Sequence, residues 1–176
     1  MEWTIPGTAL RGLRDDVEAS IRQIEGMFLG GGMIRSQLAS VSGVEAHDIQ
    51  NWVKRGFLSN PVNKRYSIQQ FSRIVTINML RSAMTMDKIC SLLTYVNGEL
   101  DDASDDMIDD ADLYFMFVGL AARSRELYRE ENREAVLDEA LSDYIEPSPG
   151  AKERVKTVLR IMLTAWAASQ LRLAAQ

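Results

Sequence analysis

Glycine and proline cut the helical periodicity of this chain into short pieces, most tightly between Ser36 and Leu93. Ser36 to Ser40 is helix-compatible, with Leu38 and Val41 three apart on one face, and Ser42-Gly43-Val44 then breaks the run at a residue for which a sharp turn costs little. Ala46 to Arg55 resumes with Ile49, Trp52 and Val53 at helical spacing, leaving Gln50, Asn51, Lys54 and Arg55 largely on other faces. Gly56 stands where a C′ residue ends a helix, Lys54 and Arg55 suit the negative end of its dipole, and Pro61 prevents quick resumption. The pattern predicts two short helices joined by a tight turn.

The residues that follow extend the motif. Phe57-Leu58 anchors a loop to the core, Asn60-Pro61-Val62-Asn63 supplies a turn, and Lys64-Arg65-Tyr66 returns two cations and an aromatic toward Ser67, as a small hairpin or wing. Ser67 is a good N-cap for a helix carrying Ile68, Phe71, Ile74, Val75, Ile77 and Met79. Thr85 is placed to cap another, with Met86, Ile89, Leu92 and Leu93 on its buried side. Two short helices around a glycine turn form a helix-turn-helix, whose second helix fits a DNA major groove.

The joint order of Leu38-Ala39, Ser42-Gly43-Val44, Ile49, Trp52, Gly56-Phe57-Leu58, Pro61, Arg65-Tyr66-Ser67, Phe71, Ile77, Arg81, Thr85-Met86 and Ile89 resembles the DNA-binding domain of the MerR transcription regulators. It is also similar to an uncharacterised bacterial family with a MerR-like head and a helical tail, in which a Lys/Arg-Tyr-Ser step precedes the same helix pair. The resemblance covers about a third of the chain. It implies a mostly α protein, with a MerR-like winged helix-turn-helix head followed by an acidic helical bundle tail. The chain departs from the family at Gln50 and Trp52, where MerR proteins usually carry Arg and Tyr, and its wing is shorter. No long coiled-coil helix directly follows the fourth helix, so neither the family's base preference nor its antiparallel dimer is carried over.

Charge provides a separate line of argument. From Gly31 to Cys90, Arg35, Lys54, Arg55, Lys64, Arg65, Arg73, Arg81 and Lys88 face only Glu45, Asp48 and Asp87, a net of +5 in a chain whose total is −5. From Glu99 to Glu146, 16 acidic residues face 4 arginines. A basic segment in an acidic chain is what a phosphate-binding surface requires, because DNA affinity rests on counterion release. The plainer reading is a solvated surface that happens to be basic.

At 176 residues with 46% hydrophobic content, the chain is long enough to bury a proper core in one domain or two small ones. The expected division is an N-terminal support helix in 1–30, the winged helix-turn-helix in 31–97 and a helical dimerisation or effector domain in 98–176. Cys90 and His47 are the only residues of their types, which excludes a disulfide framework and a zinc cluster of usual spacing and fits a reducing cytoplasm. Cys90 lies among apolar helix positions and reads as a small buried hydrophobe. No secretory signal is expected in Met1 to Leu10, and the apolar runs Leu113 to Ala122 and Ile161 to Ala168 fall short of the ~20 residues that span a bilayer. They read as core helices of a soluble, cytoplasmic protein without membrane association.

Asp15 to Phe28 places Val17, Ile21, Ile24 and Phe28 on one helical face, and Gly30-Gly31-Gly32 reads as a flexible hinge rather than a phosphate loop, since no strand precedes it and no Lys-Ser/Thr completes the motif. Asn97-Gly98 ends the fourth helix. The aspartates between Asp101 and Asp112 lack the spacing, central Gly and closing Glu of a calcium loop and read as acid at a helix start. A helix from Asp106 to about Asn132 and another from Glu134 to Ile145 are expected, then a linker at Pro147-Ser148-Pro149-Gly150. The last helix, Ala151 to Ala175, repeats Val155, Leu159, Met162 and Trp166 as a seam, expected to pack in cis and to join a second copy.

These readings make the chain a DNA-binding transcriptional regulator whose partners are double-stranded DNA and a second copy of itself. Ala46, His47, Gln50, Asn51 and Lys54 are placed to face the major groove, with Gln50 and Asn51 suited to adenine. Arg35, Arg55, Lys64 and Arg65 are placed to hold phosphates, and Tyr66 to support the wing. No cofactor is expected. An effector, small molecule or protein, is left open, with the nine methionines read first as adaptable core filling. The alternative is a protein-interaction module on a winged-helix fold that no longer binds DNA. An enzyme is not expected, because no His-Ser-Asp, Cys-His or metal motif is present.

Overall fold

Ser67 and Gln70 start the helix around which the first half of the chain is arranged. The Ser67 Oγ accepts from the Gln70 N–H at 3.1 Å and the Gln70 Oε1 accepts from the Ser67 N–H at 2.8 Å, a reciprocal capping box at the Ile68–Leu80 helix. In the computed structural model, which describes residues 1–127 and 130–176, the chain is mostly helical and forms two compact units, Met1–Met79 and Leu80–Gln176.

The first unit opens with strands β1 (Glu2–Thr4) and β2 (Arg11–Leu13), paired antiparallel with Trp3 opposite Gly12. Helices α1 (Val17–Met27), α2 (Arg35–Ser42), α3 (Ala46–Lys54) and α4 (Ile68–Leu80) follow. Asp16 caps α1 through the Ala19 N–H, and the expected apolar face of α1 turns inward at Ile24, with Val17, Ile21 and Phe28 half-buried. The Phe28 and Phe71 rings tilt together at 5.4 Å.

Apart from half-buried Asn78, α4 is buried from Gln70 to Leu80. The loop between β1 and β2 lies against it. The Asn78 Nδ2 donates to the Gly7 carbonyl at 3.1 Å and to the Ser42 carbonyl at 3.3 Å, while the Ala9 N–H donates to Val41 at 2.9 Å. Gly7 has φ +74, and a Cβ there would stand 2.3 Å from the Val75 carbonyl oxygen, so the loop's approach to α4 depends on a missing side chain. This strand pair has no counterpart in the expected N-terminal organisation, because β1 and β2 are three residues each, too short for their exposed-inward-exposed alternation to stand out in the sequence.

The triple glycine is not a free hinge. Gly32 has φ +98 and a Cβ on it would lie 2.6 Å from the Tyr66 carbonyl oxygen, at a point where Met33 and Tyr66 exchange backbone bonds of 3.0 and 2.7 Å. Close backbone approach explains the glycine there.

The second unit contains α5 (Met86–Asn97), a short 3-10 turn (Ala103–Asp105), α6 (Asp110–Ala122), α7 (Ser124–Leu127), α8 (Glu130–Ala140) and α9 (Ala151–Ala174). Among its described residues α9 packs on α5, α6 and α8. The helix expected from Asp106 to Asn132 starts later, at Asp110, because Asp109 is its N-cap and accepts from Ala111 and Asp112 at 2.7 and 3.2 Å. It stops at Arg123, and its expected course through residues 128–129 lies outside the described residues. The helix expected to reach Ile145 ends at Ala140, beyond which the chain turns and Tyr144 Oη donates to the Met107 carbonyl. Two of the other aspartates hold local backbone: Asp102 accepts from Ser104, and Asp105 from the Glu99 N–H at 2.9 Å. No helix among the described residues is long and apolar enough to cross a membrane.

The α9 seam is filled within its own unit. Val155, Leu159 and Met162 are fully buried, and Trp166 meets Phe117 edge-on at 6.0 Å, so these residues are not a surface for a second copy. Between α8 and α9, Lys156 Nζ reaches Glu134 at 2.9 Å and Asp138 at 2.7 Å, while Arg160 grips both Glu134 carboxylate oxygens. The Lys156 bond is the main reason that the Glu134 carboxyl titrates below its ordinary range, and bonds to Asp138 and Glu134 hold the Lys156 ammonium above its own.

Two outcomes follow from this packing. Gly7→Ala is expected to destabilise the chain by about 2 kcal/mol or more in urea unfolding, from positive-φ strain and collision with Val75. Lys156→Met keeps an apolar stem and removes the ion pairs. It is expected to cost about 1 kcal/mol or less at pH 7, since the carboxylates remain hydrated. With Glu134 depressed in the folded state, that difference is present above about pH 4.3 and shrinks as pH falls through the folded pKa; with Lys156 raised, it also fades as pH climbs beyond about 10.4. Urea melts of both proteins across pH would measure it.

Candidate functional site

The face of α3 that the core leaves uncovered is continuous. Ile49 is fully buried and Trp52 nearly so, with Val53 half-buried beside them, which fixes the rotation of the helix. His47, Gln50, Asn51 and Lys54 are consequently exposed along one side, and Ala46 at the first turn is half-buried. His47 Nε2 stands 3.1 Å from Asp48 Oδ1.

Both ends of this helix are set by local chemistry. At the entrance, α2 ends with Gly43 at φ +71 donating to Ala39, the Val44 N–H donates to Ser42 Oγ, and buried Val44 pins the three-residue turn Gly43-Val44-Glu45 to the core. At the exit, Gly56 has φ +76, its N–H donates to Val53 and the Phe57 N–H donates to Trp52, a Schellman closure at the predicted C′ glycine. The exposed Arg55 guanidinium lies over the Phe57 ring at 4.6 Å.

The connection from α3 to the next loop is held by α4. Gln70 Nε2 donates to the Ser59 carbonyl, Ser59 Oγ and the Asn60 carbonyl at 3.0 to 3.1 Å, and Arg73 Nε donates to the Phe57 carbonyl at 2.9 Å. Both side chains are more than nine-tenths buried. By composition Arg73 is one of the segment's basic charges and Gln70 an ordinary polar residue; their burial against a connector's turn is a tertiary fact that no local spacing announces. Arg73 therefore contributes little to the surface charge of this segment.

The loop forms a minimal hairpin. Val62 and Arg65 exchange backbone bonds of 3.1 and 2.9 Å across Asn63 (φ +51) and Lys64 (φ +61), a type I′ pair. The turn Val62–Arg65 thus lies two residues beyond the Asn60 to Asn63 stretch expected to supply it, and Lys64 is at its tip rather than on its returning arm. Lys64 and Arg65 are exposed, and Arg65 Nη1 donates to the Gly32 carbonyl at 3.0 Å. Tyr66 belongs to the core: it is 4% exposed, and its backbone pairs with Met33, so its ring presents nothing to a partner. Burial pushes the Tyr66 hydroxyl above its ordinary pKa, partly offset by the Arg35 cation, which places Arg35 within electrostatic reach of the hairpin's base.

The exposed members of the predicted set thus fall into two groups. His47, Gln50, Asn51 and Lys54 line α3, with Arg55 at its end. Arg35, Lys64 and Arg65 gather where the hairpin joins the start of α2, since Met33–Tyr66 pairing ties the two segments together. The first group is rich in side-chain amides, which both donate and accept; the second is cationic. Among the described residues, no three His, Cys, Asp or Glu side chains converge as for a metal ion.

Residues 34–117 match the model of a family described as a domain of unknown function (DUF1836). The match begins at the N-cap of α2 and reaches into α6, so it holds the α2–α3 pair, the hairpin, α4 and α5. That description carries no activity, and neither a curated protein nor a solved structure matches the chain.

The hairpin geometry has a stability consequence. Lys64 occupies a left-handed conformation that costs an L-residue on the order of 1 kcal/mol. Lys64→Gly, which creates the Asn-Gly pair favoured in type I′ turns, is expected to stabilise the chain by about 0.5 kcal/mol in denaturant melts.

Proposed function

We propose that the first unit binds double-stranded DNA as a MerR-like winged helix-turn-helix, and that the chain is a transcriptional regulator. The observation carrying this reading is the uncovered face of α3: a short helix whose inward side is fixed by Ile49 and Trp52 and whose outward side carries His47, Gln50, Asn51 and Lys54. A helix so held presents its side chains to a major groove at low entropic cost. Gln50 and Asn51 suit bidentate bonds to adenine, and Lys54 suits guanine or a phosphate.

Arg35, Arg55, Lys64 and Arg65 act on the backbone in this reading. A hairpin tip bearing a lysine in a rigid two-residue turn suits a phosphate or a groove edge, and carries position rather than sequence. Gln70 and Arg73 are positioning residues, since they hold the connector between the two groups. A single short helix reads only one half-site, so pairing of two copies belongs to the same proposal, through surfaces other than the filled α9 seam.

The test is a gel shift and fluorescence titration with genomic fragments at several salt concentrations. Lys64→Gln with Arg65→Gln is expected to weaken binding to every sequence and to lower the slope of log affinity against log salt by about 2. Gln50→Ala is expected to cost about 1–3 kcal/mol at preferred sites and to relax their sequence preference, with the salt slope unchanged. No retarded DNA from the library at low salt would overturn the proposal and leave a protein-interaction module as the reading.

A further inference from the structure

The second unit contains an apolar cleft of about 300 Å³ lined by residues of α7, α8 and α9. Leu127, Leu163, Trp166 and Ala167 supply its apolar lining, and the small Ala167 side chain leaves space that a larger residue would fill. Two guanidinium groups, of Arg133 and Arg160, also line it. The volume is at the lower end of small-molecule sites and accommodates on the order of ten heavy atoms.

The lining charge opposes that of the surrounding sequence. Between Glu99 and Glu146 acidic residues outnumber basic ones fourfold, yet among the described residues the cleft is lined by two arginines and no carboxylate. Arg160 is oriented by Glu134, whose carboxylate oxygens accept from its Nε and Nη2 at 3.1 Å. Arg133 is half-buried, and its Nε–H reaches the Leu127 carbonyl at 3.4 Å, longer than a strong bond. A guanidinium beside apolar surface offers planar, charge-assisted donors to a carboxylate, and offers nothing comparable to an alcohol and repulsion to an ammonium.

We propose that this cleft binds a small amphipathic monocarboxylate, its apolar body against Leu127, Leu163 and Trp166 and its carboxylate on Arg133, with Arg160 adding positive field. The proposal does not depend on DNA binding by the first unit.

The experiment is isothermal titration of the full chain with octanoate, octanol and octylammonium, all below their aggregation concentrations. Octanoate is expected to saturate at one per chain and to bind at least tenfold more tightly than octanol, with octylammonium weakest. Arg133→Met is expected to weaken octanoate at least tenfold and leave octanol unchanged. Ala167→Leu is expected to abolish binding of octanoate and octanol, with the melting temperature of the ligand-free chain retained. Equal affinity for the three probes, absence of saturable octanoate binding, or octanoate binding unaltered in Ala167→Leu would overturn the proposal. Sedimentation showing that Ala167→Leu separates a dimer would also overturn it, assigning the cleft to a second copy.

Discussion

Three polar side chains on α4 hold the first unit together by satisfying carbonyls that belong to loops and to the last residue of α2. Gln70 takes those of Ser59 and Asn60, Arg73 that of Phe57, and Asn78 those of Gly7 and Ser42. Loops are rarely buried, because their backbone groups have no ladder or helix to pair with. Placing donors on a helix that is itself apolar along most of its length solves this twice over. The hydrophobic residues of α4 provide the core, and its amide and guanidinium groups fix the connections that cross it. A carbonyl left unpaired at such a site costs about 1–3 kcal/mol, so these bonds specify where each loop lies more than they add net stability.

That arrangement has a consequence for α3. The helix is only nine residues long and would not persist by itself. Its entrance is fixed by Gly43 and Val44 and its exit by the Gly56 closure and the Arg73 bond to Phe57, so its exposed side chains stand on a base with little freedom to roll. The hairpin is fixed in a similar way, by its type I′ turn and by pairing of Tyr66 with Met33. The proposed DNA-reading face therefore draws its order from residues that it does not expose.

In the second unit the balance is different. There α9 carries the core through Val155, Leu159, Met162 and Trp166, and charge is organised at one seam, where Lys156 and Arg160 meet Glu134 and Asp138. Part of the acidic composition between Glu99 and Glu146 serves separate local tasks. Asp102 and Asp109 cap helical starts, Asp105 binds a backbone amide, and Glu134 and Asp138 neutralise α9.

Much of the local architecture was legible in the sequence because capping and turn chemistry act over a few residues. Gly43, Gly56, the Ser67 cap and the Asn97-Gly98 stop follow from φ preferences and hydrogen bonds to near neighbours, and the rotation of α3 follows from the spacing of Ile49 and Trp52. Other features were decided only by tertiary structure, because their partners are distant in the chain. The β1–β2 loop is placed by Asn78, 71 residues away, and Gly32 is required by the Tyr66 carbonyl. Arg73 is a buried strut rather than one of the segment's surface charges, Tyr66, expected to support the wing, lies in the core with its backbone paired to Met33, and the α9 seam is filled by its own unit. Composition assigns a charge or an apolar stripe to the chain; only the fold determines which of them is spent inside it.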